Sequence, residues 1–313
     1  DSLKAKLCVP GRAQLAAYLI SNNLPYRQCG KYVLAPDEQV AELEQLYRQG
    51  LTNGVNDLDL VDGDYLHRLY PELAAMPALY SSNTGILSVD SLLHQLAGEF
   101  QAHGGDLAVQ TVFHSMHRNN TGYDVTLTDI EGEEITVSAA HVINAAGLGA
   151  LDVARKAGFI TRYKDYELRY CKGSYFKAPD ARGAFKHLIY PLPTINSLGI
   201  HIRIDLQDEV RIGPDANYLA TNEEDYSVDP ESEQAFREYV ELYWPGVAGH
   251  QLTIDWAGIR PHIFVAGEFS HDFQVNDENE SGCPGWVNML GIDSPGLTAA
   301  PAFGPHIAEL WGL

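Results

Sequence analysis

The sequence predicts a mixed α/β protein in which strand–glycine–helix turns accompany a separate, mostly antiparallel sheet. Three observations carry that expectation. Twice an apolar strand runs into a glycine turn and then a helix, at Ile143-Asn144-Ala145-Ala146-Gly147-Leu148-Gly149 and at Met289-Leu290-Gly291-Ile292-Asp293-Ser294-Pro295-Gly296-Leu297-Thr298. From Tyr163 to Asn217 short strands follow one another with little helical pattern, the mark of a separate sheet. The length, 313 residues, amounts to two domains at roughly 150 residues each, or one large one.

The first hundred residues read as helices with short connectors. Leu15, Tyr18 and Leu19 share a helical face before the polar stop Ser21-Asn22-Asn23, and Tyr32-Val33-Leu34 is a short strand. Val40, Leu43, Leu46 and Tyr47 mark a second helix, with Pro36 near its start and Gly50 just past its end. A third is expected from about Ser91 to His103, capped by Asp90 and ended by Gly104, with Leu92, Leu93, Leu96 and Phe100 as its buried stripe. Residues Tyr123 to Thr128 and Glu134 to Val137 alternate by two around a turn at Ile130 to Glu133, a hairpin with one wet face. Strands are then expected at Gly173 to Phe176, His187 to Tyr190, Leu198 to Arg203 and Val210 to Ile212. Asp229-Pro230 opens a helix carrying Phe236, Tyr239, Val240 and Tyr243, which stops at Pro245-Gly246. Asn276 to Glu280 reads as an exposed acidic loop, and Pro301 with Gly304-Pro305 is expected to interrupt the terminal helix.

Composition narrows the function. Forty-two acidic residues stand against 21 Lys and Arg, a formal net charge of -21. Such a surface repels phosphate backbones and anionic lipid, so neither nucleic acid nor stable membrane insertion is expected. No apolar run approaches the roughly 18 residues of a membrane span. Cys8, Cys29, Cys171 and Cys283 lack metal-ligand spacing and read as reduced thiols of a cytoplasmic protein, and the twelve histidines form no H-E-x-x-H motif, so no metal is expected.

A few residues could carry chemistry. The two glycine turns let a ligand approach the backbone and present helix N–H groups to negative charge, although such turns are common in any α/β fold. Arg260, held extended by Pro261, could grip a carboxylate with two parallel bonds, or be an ordinary surface arginine in a turn. His201 in Gly199-Ile200-His201-Ile202-Arg203 is a candidate base if it faces a cavity and a packing residue otherwise; the same holds for Tyr190.

These residues lie within blocks that resemble a known family. The run Ser2-Leu3-Lys4-Ala5-Lys6-Leu7-Cys8-Val9, then Cys29-Gly30-Lys31, Asn83-Thr84-Gly85-Ile86 and Asn144-Ala145-Ala146-Gly147-Leu148 comes first. Cys171-Lys172-Gly173-Ser174-Tyr175-Phe176, Leu188-Ile189-Tyr190-Pro191, Leu198-Gly199-Ile200-His201 and Gly213-Pro214-Asp215-Ala216 follow. Gly258-Ile259-Arg260-Pro261 and the Gly291 to Thr298 block close the series. In this order and spacing the chain resembles the FAD-dependent oxidoreductases of the D-amino-acid-oxidase-like superfamily, and within them the L-2-hydroxyglutarate oxidase/dehydrogenase group.

The resemblance implies a discontinuous, Rossmann-like FAD-binding domain at 1–35, 84–160 and 251–313, and a β-rich substrate-binding domain at 36–83 and 161–250. It implies that Val112 meets the adenine, that Ala146 and Gly147 lie near the pyrophosphate and ribose, and that Gly291, Ser294, Gly296, Leu297 and Thr298 line the isoalloxazine. It further implies that Arg260 holds a substrate carboxylate, with His201 and Tyr190 facing the flavin from the substrate side. A 2-hydroxy acid would lose its hydroxyl proton to His201 and its Cα hydride to the flavin. A glutarate-like substrate would need a second cation, for which Arg203 and Lys172 are candidates. The electron acceptor stays open.

One departure stands out. The family opens with a βαβ unit carrying G-x-G-x-x-G, and this sequence contains no such motif. The expectation is that an upstream unit is missing and that the chain holds flavin weakly or not at all. Two alternatives therefore remain beside the hydroxy-acid reading: a glycine- or sarcosine-type amino-acid oxidase on the same scaffold, and a truncated, non-catalytic remnant that binds no flavin.

Overall fold

The protein is described here by a computed structural model covering residues 2–193 and 199–313. Residue Leu198, expected to open the His201 strand, lies outside the described residues.

One sheet is small and partly parallel. Val142–Asn144 pairs in parallel with Trp286–Leu290, whose other edge takes Gln274–Asp277 antiparallel. All five residues of Trp286–Leu290 are buried, so both faces of that strand are covered. On one side Trp286 meets Tyr123, Phe159 and Phe113 edge-on or tilted. On the other, Val287 and Met289 pack with Leu7 of helix Leu3–Ser21 and Phe303 of helix Gly296–Trp311. The Trp286 indole N–H also donates to Asn288 Oδ1 at 3.1 Å. Replacing Trp286 with Ala should therefore destabilise the protein by about 3–5 kcal/mol. Urea unfolding checks this; a change below about 1 kcal/mol would mean that the layers do not depend on the indole.

The second sheet has ten strands among the described residues. Its order is Glu268–Phe269, Thr253–Val265, Tyr166–Ala178, Val210–Gly213, His201–Ile204, Leu188–Pro191, Lys31–Leu34, Ala78–Ser81, Leu58–Val61, with Asn217–Tyr218 pairing onto Tyr166–Ala178. It is antiparallel as expected, except that Leu188–Pro191 and Lys31–Leu34 run parallel. One face carries Phe176, Ile189, Ile202, Ile204, Val210 and Ile212 and is sealed by Phe236, Val240 and Trp244. Because side chains alternate along a strand, Tyr190, His201 and Arg203 fall on the opposite face.

Several expectations need correction. Lys31–Leu34 and Thr253–Val265, placed by the resemblance in the FAD-binding unit, are strands of the large sheet, because their backbones complete its ladders. The second helix spans Val40–Thr52 and runs through Gly50, where a Cβ would sit 2.4 Å from Leu58 Cδ1; the glycine serves close packing, not termination. The third spans Val89–Ala102, and its cap is Ser88, whose hydroxyl accepts from Ser91 N at 3.2 Å. Of its apolar stripe only Leu92 is buried, while Leu93, Leu96 and Phe100 are 60%, 45% and 52% exposed. Helical periodicity marks an apolar face but not whether anything covers it.

The acidic stretch hides a fully buried Glu278. Its carboxylate accepts from Tyr163 Oη, from Asn288 Nδ2 at 2.9 Å and from Ser281 Oγ at 2.7 Å, and pairs with Arg162 Nε at 3.2 Å. A buried carboxylate is tolerated when its lone pairs are satisfied in this way. The terminal helix runs unbroken from Gly296 to Trp311 through Pro301 and Pro305. Burial of Ala299, Ala302, Phe303 and Ile307 outweighs the missing N–H donors.

Candidate active site

The opposite face of the large sheet carries His201, Tyr190, Arg203 and Arg260. His201 is 5% exposed and stacks on Tyr190, with ring centroids 3.8 Å apart and planes 16° from parallel. Its Nδ1 lies 3.1 Å from Gly199 O, so Nδ1–H donates to that carbonyl and Nε2 is left as an acceptor. Burial, reinforced by the charges of Arg203, Lys31 and Arg260, pulls its pKa down to about 3 against the Gly199 bond. The imidazole is thus neutral at physiological pH, with Nε2 unprotonated and able to accept a hydrogen bond. Arg203, two residues along the strand, lies over the faces of Tyr175 and Trp256 at 5.3 and 5.6 Å.

Arg260 sits on Thr253–Val265 opposite Cys171. Its Nη2 donates to Asp215 O at 3.1 Å and its Nη1 to Cys171 Sγ at 3.7 Å, and it forms no ion pair among the described residues. The fork is hydrogen-bonded only by neutral groups, while the nearby Asp215 carboxylate, which accepts from Ser174 N and Asn217 Nδ2, feels its charge without pairing with it. Gly173 makes room for it. A Cβ there would stand 2.7 Å from Arg260 Nη2 and 2.8 Å from Pro214 Cβ.

The Gly291–Pro295 turn lies against the same strand. A Cβ on Gly291, whose φ is +64°, would stand 3.1 Å from Ile263 Cγ1 and 3.7 Å from Pro261 O. His262 Nε2 reaches Asp293 Oδ2 at 3.4 Å, His262 Nδ1 meets Tyr218 Oη at 2.9 Å, and Lys4 Nζ holds Asp293 Oδ1 at 3.1 Å. Burial works against charge on His262, but its bonds to Asp293 and Cys171 raise its pKa overall; burial opposes charge on Asp293 too, yet His262 and Lys4 lower its pKa. This network ties the turn to the residues flanking Arg260. Beyond the turn, helix Gly296–Trp311 begins at Pro295 with no side-chain cap, and Leu297 is 43% exposed at its tip. Gly11 of the first helix supports this end closely, since a Cβ there would stand 2.5 Å from Thr298 O.

The second turn, Ala145 to Gly149, leaves the end of the neighbouring parallel strand. Gly147 has φ +55° and open space where a Cβ would point, and Ala146 is exposed. Val112 is exposed at the start of Val112–Arg118. Both turns thus lie at the carboxyl ends of parallel strands, where open α/β sheets bind ligands.

Comparison with known proteins agrees. The model of the family described as "DAO: FAD dependent oxidoreductase" matches residues 1–310. The chain belongs to the DAO family of FAD-dependent oxidoreductases. It is 29% identical to the mitochondrial L-2-hydroxyglutarate dehydrogenase of Arabidopsis thaliana, over 99% of this chain and 71% of that protein. It is 30% identical to the mitochondrial enzyme of the same name from Pongo abelii, over 85% of this chain and 66% of that protein. In fold it is similar to the L-alpha-glycerophosphate oxidase of Mycoplasma pneumoniae, which has FAD bound, with a TM-score of 0.79 at 20% identity over 100% of this chain and 80% of that one.

Membership of the DAO family makes this an oxidoreductase chain with FAD as cofactor. Its residues fit that group: an uncapped helix N-terminus and the exposed Leu297 suit an apolar ring with an electron-rich edge, and the turn at Gly147 gives unobstructed access to backbone. Among the described residues no helix is long and apolar enough to cross a membrane. The relatives' names say mitochondrial, which does not agree with the cytoplasmic expectation.

Lys172, expected to face substrate, is held elsewhere: its Nζ donates to Asp225 Oδ2 at 2.7 Å and Ser227 O at 3.0 Å. Sequence reasoning missed Gly173 as the bed of Arg260 and His262–Asp293 as the brace of the turn. The glycine in Lys172-Gly173-Ser174, inside an otherwise bulky strand, was the available signal for close approach. Replacing Gly173 with Ala should displace the guanidinium and raise the KM for a carboxylate substrate about tenfold, with a stability loss of about 1–3 kcal/mol. Steady-state kinetics of the flavin-loaded protein checks this; an unchanged KM would detach Arg260 from carboxylate binding.

Proposed function

We propose that the protein oxidises a 2-hydroxy carboxylate of the L-2-hydroxyglutarate type to the 2-oxo acid. FAD, when bound, supplies two-electron acceptance. Gly291, Ser294, Gly296, Leu297 and Thr298 would hold its ring system, Ala146 and Gly147 would lie toward its pyrophosphate, and Val112 toward its adenine. The chain's own residues do the rest. Arg260 receives the substrate's C1 carboxylate and fixes the position of C2. His201 Nε2 accepts the hydroxyl proton, because Nδ1 is already committed to Gly199 O. Tyr190 stacks on that imidazole and keeps it in plane.

The observation that carries this reading is an arginine fork with no ion pair among the described residues on the same sheet face as a neutral histidine, beside the Gly291 turn. The names of the relatives support the hydroxy-acid branch. Turnover with an artificial electron acceptor tests it. L-2-hydroxyglutarate should be oxidised faster than glycine or sarcosine; the reverse order would replace the reading with the amino-acid alternative. A well-folded preparation with no flavin absorbance after incubation with FAD would favour the non-catalytic remnant.

A further inference from the structure

Glu278 is a fully buried charge that takes no part in the proposed reaction. Its carboxylate is met by Tyr163, Ser281, Arg162 and Asn288, and from Asn288 the contacts run on to the turn at 145–149. Asn288 Oδ1 accepts from Asn144 Nδ2 at 2.8 Å. Asn144 is the last residue of its strand and reaches both ends of the turn that follows. Its Nδ2 also donates to Ala150 O at 2.8 Å, and its Oδ1 accepts from Ala146 N at 3.3 Å. We infer that Asn144 is a positioning residue for the flavin, holding the 145–149 turn in the shape that meets the cofactor, and that Glu278 fixes, through Asn288, which way round the Asn144 amide lies. This rests on the placement of Ala146 and Gly147 toward the pyrophosphate in the function proposed above.

The orientation is forced by groups that have only one role. The Trp286 indole N–H can only donate, and it meets Asn288 Oδ1 at 3.1 Å. A carboxylate can only accept, and that of Glu278 takes Asn288 Nδ2 at 2.9 Å. Between them the Asn288 amide has one arrangement left. Its oxygen faces Asn144, so Asn144 must present Nδ2 there and turn Oδ1 to the Ala146 N–H. A flipped Asn144 amide would set oxygen against Asn288 Oδ1 and Ala150 O, and N–H against N–H at Ala146.

The chain of contacts is costly for packing alone. Asn144, Asn288 and Glu278 are three of the six polar or charged side chains buried among the described residues. Apolar side chains of like size would fill the same space without desolvating a charge. They could not tie down the turn, where Ala146 and Gly147 are exposed and nothing stands within 4 Å of the place a Gly147 Cβ would take. With open space above it, the turn is held from beneath by the Asn144 amide.

Affinity for FAD, read from the change in the flavin spectrum on binding, tests this together with amide hydrogen exchange of the chain without added FAD. Asn144→Ala should raise the Kd for FAD at least about tenfold and speed exchange at Ala146 to a similar extent, while the KM for a 2-hydroxy acid at saturating FAD stays within about twofold. Val287→Ala, a core truncation on the strand of Asn288, should lower stability and leave the Kd within about twofold. Glu278→Gln and Asn288→Asp should each weaken FAD binding. The two together should recover most of it, because the new carboxylate accepts from Trp286 and Asn144 and takes the new amide N–H on its other oxygen. An Asn144→Ala protein with wild-type Kd overturns the inference, as does a Val287→Ala protein that loses FAD as strongly. So does a double variant no better than the single ones, which decides the matter even if Asn144→Ala does not fold. Exchange in the wild type separates this from the placement it rests on. FAD that binds without slowing exchange at 145–149 removes the turn from the cofactor site; protection of the turn with an unchanged Kd in Asn144→Ala removes only the role of Asn144.

Discussion

In the flavin-loaded protein, Arg260→Ala should raise the KM for a 2-hydroxy acid about a hundredfold, the effect of leaving a partly buried carboxylate without its charged partner at about 3 kcal/mol. The fork is pre-set by Asp215 O and Cys171 Sγ and bedded on Gly173. Little ordering remains to be done when substrate binds, so most of the interaction is realised as affinity. Arg260→Lys should recover only part of it, because an ammonium cannot reproduce two parallel bonds. Steady-state kinetics checks both variants. An Arg260→Ala protein with wild-type KM would place the carboxylate elsewhere.

His201→Asn should lower kcat by about 10²–10⁴-fold, the usual contribution of a positioned general base, with a much smaller change in KM. The asparagine amide can still donate to Gly199 O, but it offers no basic nitrogen to the substrate. The wild-type pH profile carries a further consequence. With a pKa near 3, His201 is unprotonated well below the ordinary imidazole range. The base form is therefore fully populated, and kcat/KM should show no limb at about 6.5. A limb there in the wild type that vanishes in His201→Asn would contradict the burial assigned to this ring.

The sequence made much of this legible, for identifiable reasons. The strand–glycine–helix turns at Gly147 and Gly291 could be read because an apolar strand followed by glycine leaves few geometries open. Arg260, His201 and Tyr190 were marked by residue type and by their place in ordered blocks, and the sheet brings His201 and Tyr190 into contact. Asn144 could be quoted only within a block, because the partners of its amide depend on which strand lies beside it. The parallel pairing of Val142–Asn144 with Trp286–Leu290 joins segments more than 140 residues apart, which no local pattern encodes. Glu278 was misread for the same reason: acidity suggests exposure, and only the fold brings Tyr163, Arg162 and Asn288 to its carboxylate. The helix at Val89–Ala102 failed in the opposite sense, since its periodicity was read correctly and its covering was assumed.

The central claim is that the face around His201 receives a carboxylate beside the flavin held at the Gly291–Thr298 turn. Titrating glutarate, an unreactive diacid, into the flavin-loaded protein while recording the visible flavin band tests it most directly. A saturable perturbation of the band in the wild type, lost in Arg260→Ala, is the expected result. Glutarate that binds without disturbing the band, or a perturbation that survives in Arg260→Ala, would contradict the claim.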